Sequence, residues 1–191
     1  MKSKKSIWLG GVLAGLVVFA WGFVSWMALG FHEASMKNFK DETAVKAAIE
    51  ANISGPGIYV FPNGHAGTEG MSAEQKKAKQ DAAMKQWQTG TSAFVSVNTS
   101  RPANMGICMG IGLVICLISG LIVAWMLSKT TGLKYWHKVG FVTLIGVTVA
   151  LLSSGAYWNW WGFSASYIFA EVLDHVAAWY LAGLVLAKFS K

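Results

Sequence analysis

The chain has 191 residues, 54% of them apolar and 13% charged, with ten tryptophans and a net charge of +7. So apolar a composition excludes an ordinary water-soluble domain, and the placement of the charge excludes a nucleic-acid binder. Lys2, Lys4, Lys5, Lys129, Lys134, Lys138, Lys188 and Lys191 flank apolar runs with no acid among them, whereas residues 31–104 hold the other eight basic residues against seven acids.

Four runs reach the length of about 20 apolar residues that a helix needs to cross a bilayer: 7–30, 105–128, 139–157 and 166–187. The lysine asymmetry is the positive-inside pattern. It puts both termini and the 129–138 loop in the cytoplasm and residues 31–104 on the other side. The expected architecture is an all-α membrane bundle of four transmembrane helices. A small α/β cap, in the order α-β-α-β, is inserted between the first and second. The divisions are 1–30 (cytoplasmic N-terminus and first span), 31–104 (extracytoplasmic cap) and 105–191 (spans two to four and cytoplasmic C-terminus). The compact build and Lys-biased topology point to a bacterial inner (plasma) membrane.

In chain order, the first run is too long for a signal-peptide core and carries Trp21 and Trp26 to its outer end, so it reads as an uncleaved span. Gly11 and Gly15 form a small-xxx-small pair that permits close helix approach. In the cap, Asp41 is an N-cap for a helix over 42–51, and residues 58–61 are a β-branched and aromatic strand stopped by Pro62. Ser72 and Gln75 form a capping box opening a helix over 73–87, and residues 93–97 are a second strand. Strand, helix and strand in about 40 residues permit a parallel crossover. Asn104 caps the second span, which carries Gly106 and Gly110 and the only cysteines, Cys108 and Cys116, spaced too far apart for an intrahelical disulfide. The short 129–138 link predicts that spans two and three pack as an antiparallel hairpin. Trp158, Trp160 and Trp161 read as an interfacial belt at the outer end of span three.

The fourth span holds the chain's most unusual stretch. Glu171, Asp174 and His175 share one helical face inside an apolar run, where each ionisable group costs about 3 kcal/mol on insertion scales. Candidate partners are His32 and Glu33, beyond the outer end of span one, and Arg101, just before span two. A hydrogen-bonded cluster locking the helices is the first reading; an ion, proton or metal site is the second. His32, Glu171 and His175 would supply metal ligands, and Met105, Cys108 and Met109 add a soft set of the kind that selects Cu(I). No cofactor is required, and a metal ion enters only through those residues.

Function then reads as an integral membrane accessory or interaction protein, non-catalytic. It docks a partner protein or lipid through the cap and the aromatic rim, with homo-oligomerisation as another means of partnering. The alternative is a small ion-, proton- or metal-binding, transport-like protein using Glu171, Asp174 and His175; a membrane metalloenzyme ranks third.

Overall fold

The structure, a computed structural model, describes residues 4–98 and 104–190. Its elements are α1 (Lys4–Met27), α2 (Phe31–Ser35), α3 (Glu42–Asn52), β1 (Gly57–Phe61), α4 (Ala73–Thr89), β2 (Ala93–Val97), α5 (Met105–Ser128), α6 (Tyr135–Trp161) and α7 (Ala165–Phe189). Among the described residues four helices are long and apolar enough to cross a membrane: Ser6–Met27, α5, α6 and α7. That is the build of an integral membrane protein. The chain divides into two compact units, the helical one containing residues up to Asn38 and from Asn104 onward, the other covering Phe39–Ala103.

In the helical unit α5 packs on α1, α1 on α7, and α7 on α6, so the helices stand in the order α5-α1-α7-α6. The hairpin expected of α5 and α6 is not formed: these two touch only sparsely. Glycines explain the preference. A Cβ built on Gly15 would lie 2.7 Å from the Cys116 carbonyl oxygen, and one on Gly120 would lie 2.7 Å from the Gly15 amide nitrogen and collide with the Gly11 carbonyl oxygen. Backbones this close gain dispersion contacts that bulkier side chains would prevent. Gly146 and Gly183 do the same for α6 and α7, where Cβ atoms would come within 2.7 Å of Trp179 and 3.1 Å of the Val139 carbonyl oxygen. Gly110, by contrast, faces nothing within 4 Å. The Gly11–Gly15 pair is a contact seam; Gly106–Gly110 is not one within this chain.

The buried cluster gathers at the end nearest the link between α5 and α6: Ala14, Val123, Ala124, Leu127, Val142, Trp179, Ala182 and Leu186. The same end is tied by polar contacts to the C-terminal end of α7 and to Ser190, the residue that caps it. Ser6 donates to the Phe189 carbonyl, Tyr135 to that of Leu184 and Lys138 to that of Ser190, at 3.2, 3.0 and 3.4 Å. At the other end α6 runs on through the tryptophan belt to Trp161, four residues past its expected end, and stops where Gly162 turns left-handed (φ 67°).

The second unit has the expected α-β-α-β order, but its strands are antiparallel, with Gly57 paired to Val97 and Phe61 to Ala93. The crossover expectation is thereby corrected: α4 returns the chain so that β2 runs back along β1. A helix between two strands is compatible with either direction, and local pattern does not distinguish them. The helix itself forms for legible reasons. Ser72 Oγ accepts from the Gln75 amide, and Gln75 Oε1 accepts from the Ser72 amide, closing the capping box. Ser72 Oγ also donates to Glu74 at 2.7 Å, and that bond holds the Glu74 carboxyl below its usual range. Because its pKa is depressed by folding, Glu74 contributes stability that is present above the unfolded carboxylate pKa and lost as pH falls through the folded value. Amide-exchange protection of the first turn of α4 is therefore expected to fall under acid. Ser72→Ala should lose about 1 kcal/mol there at neutral pH and flatten the acid response. An unchanged acid response in that variant would exclude Ser72 as the cause.

Among its described residues this unit buries no large apolar side chain; Ile58, Phe61 and Met84 are more than half exposed. Tyr59 and Trp87 hold it together through polar contacts instead, Tyr59 donating to the Gly55 carbonyl (2.7 Å) and Trp87 to that of Pro62 (3.1 Å).

Candidate functional site

The site begins where α1 ends. Gly30, left-handed at φ 65°, lets the chain turn directly into the five-residue α2, which packs on α7. This places His32 in the helical unit at 1% exposure. Its ring stacks on Trp26, with centroids 4.0 Å and planes 8° apart, and lies 4.4 Å from Phe31. Ser35 Oγ donates to the His32 carbonyl at 2.6 Å, fixing the turn.

Both ring nitrogens face α7. Nδ1 is 3.5 Å from Glu171 Oε1, and Nε2 is 3.7 Å from Asp174 Oδ2. Neither nitrogen has a hydrogen-bond partner, so the attachment is electrostatic. A ring with protons on both nitrogens offers one to each carboxylate; a singly protonated ring turns a lone pair toward one of them. Asp174 has a further anchor: Trp21 Nε1 donates to its Oδ1 at 2.6 Å. Tyr167 lies one turn before Glu171 on α7. Tyr167 in turn continues a ring series through Phe163 to Tyr157. His175 Nδ1 lies 2.7 Å from the Glu171 carbonyl, which can only accept, so that nitrogen carries the hydrogen.

Glu171 and Asp174 thus share a partner in His32, as their helical spacing allows, while His175 turns back on its own helix. Glu33 is exposed. Arg101 lies outside the described residues. The proposed metal ligands do not come together as one set. Among the described residues no group of three or more His, Cys, Asp and Glu side chains could hold a metal ion. Met105, Met109 and His175 line a neighbouring cleft; Cys108, half-buried and in no disulfide, is not among its lining residues. Trp158 and Trp160 are well exposed and Trp161 is half-buried.

That cleft, about 430 Å³, opens between α1, α5 and α7 beside the cluster. Phe19, Trp21, Phe23, Trp26 and Trp179 supply its aromatic wall, with Asp174, His175 and the Cys116 thiol as its ionisable groups. In the sequence Trp21 and Trp26 serve only to mark the outer end of an uncleaved first span, and their part in the cluster goes unread. The available signal was that Trp21 lies nine residues before Gly30, well inside the span. The chain matches no protein-family model, no curated protein and no solved structure.

Proposed function

We propose that the chain is a non-catalytic accessory or interaction protein of a membrane, docking a partner through the 39–98 unit. The observation that carries this reading is the exposed apolar surface of that unit. Some 60 residues that bury no large apolar side chain of their own fall short of the core a domain this small needs. Exposed Ile58, Phe61 and Met84 then read as a surface completed by another protein. The lysine distribution supports cytoplasmic termini and an extracytoplasmic cap in a bacterial inner membrane. The lysine-bearing ends of α1, α6 and α7 also meet at one end of the helical unit, as an even number of spans requires. Exposed Trp158 and Trp160 fit an interfacial rim against lipid. On this reading the His32–Glu171–Asp174 cluster is a lock fixing α2 to α7. Covalent capture from position 61 in intact membranes tests the docking claim, and a discrete adduct is expected.

One observation favours a second reading. His32 is buried with both nitrogens unbonded between two carboxylates, an arrangement able to hold a proton or ion rather than only to brace helices.

A further inference from the structure

We infer that the cleft between α1, α5 and α7 is a binding site for a lipophilic organic cation. This goes beyond the docking role of the cap and does not depend on it. Three features of the helical unit converge.

The first is charge. Glu171 and Asp174 are the only acids in the four spans, and the basic group facing them is His32. With His175 neutral, two carboxylates against one imidazolium leave a formal negative charge to spare even when His32 is doubly protonated. The second is His32 itself, 1% exposed, with both nitrogens aimed into the acidic pair and neither hydrogen-bonded. The pair is thus incompletely neutralised by the hydrogen bonds around it. The third is the wall. Aromatic faces attract cations through the ring quadrupole, most strongly when water is excluded, and tryptophan is the best of them. Trp21, Trp26 and Trp179 line this cleft together with Phe19 and Phe23, and of the acidic pair Asp174 lines it as well.

The polar wall selects the ligand's sign. Asp174 offers oxygens, and His175, with Nδ1 committed to the Glu171 carbonyl, offers the lone pair of Nε2 when neutral. Two acceptors and an aromatic surface suit a cation with an apolar body. The volume lies within the range of small-molecule pockets.

The test is equilibrium dialysis of the full chain in a neutral detergent, using tetraphenylphosphonium and its opposite-charge counterpart of like shape, tetraphenylborate. Each is measured as binding in excess of the Gly22→Phe variant. Gly22 lines the cleft and a Cβ there meets nothing within 4 Å, so a phenylalanine side chain starts into open space and takes up room in the cleft. The phosphonium should bind saturably, the borate should show no excess, and Asp174→Asn should weaken the phosphonium at least about tenfold while leaving an oxygen for Trp21. Equal excess of cation and anion, or phosphonium binding unchanged in Gly22→Phe or in a folded Asp174→Asn, would overturn the proposal.

Discussion

Replacing Gly120 with leucine is expected to separate α1 from α5 and to cost about 3 kcal/mol or more. The side chain would enter space filled by the Gly11 carbonyl oxygen and the Gly15 backbone, and backbone cannot rotate aside as a side-chain tip can. The same contact explains why α5 leaves its chain neighbour α6 and joins α1. For a chain of this size the loss corresponds to a melting-temperature drop of roughly 6–12 °C in detergent. Gly110→Leu is the matched control, because that glycine faces nothing within 4 Å. Removing a glycine from a helix interior should leave the control unchanged or slightly more stable. Equal losses in the two variants would mean that the Gly11–Gly15–Gly120 seam does not set the helix order.

His32→Ala should be the most damaging change at the site, at about 3 kcal/mol. It leaves Glu171 and Asp174 facing each other's charge across a void and removes the ring from between Trp26 and Phe31. Two further variants separate packing from charge. His32→Phe restores an aromatic ring but not the neutralisation and should remain clearly destabilised. Combining it with Glu171→Gln and Asp174→Asn removes the unpaired charge, and the amide oxygen introduced by the second of these still offers Trp21 an acceptor. The triple variant should recover most of the loss, as replacing all members of a buried ionic group does elsewhere. Thermal unfolding reads all of these. Wild-type stability in His32→Phe alone would show that the ring serves only as packing.

Much of this architecture was legible because its signals are local and repeated. Apolar length alone finds α1, α5, α6 and α7, and Ser72 with Gln75 announces the start of α4. Features set by long-range geometry were not legible. α2 is five residues long, too short for a period to show, and its existence depends on Gly30 adopting φ 65°. Strand direction follows from how α4 returns the chain, and both directions share one hydrophobic pattern. The helix order follows from which glycine faces meet, and Gly106–Gly110 carries the same motif as Gly11–Gly15 without a partner here. At the site, spacing placed Glu171 and Asp174 on one face and named His32 as a candidate partner. Trp21 bonding Asp174, Trp26 stacking on His32, and the cleft beside them arise from three helices meeting at particular rotations. Composition holds no record of that.

The docking role of the cap is tested most directly by a photoactivatable residue placed at Phe61, which is 52% exposed on β1, and irradiated in intact native membranes. Trp136, 67% exposed at the lysine-rich end of α6, serves as the comparison position. The account predicts one adduct of discrete mass from position 61, formed with the probe on the extracytoplasmic side, lost when Ile58 is changed to Ser, and absent from position 136. A chain that stays uncrosslinked at position 61, and whose purified cap resists amide exchange as strongly as in the membrane, would contradict it. Such a cap would be stable with no partner at all.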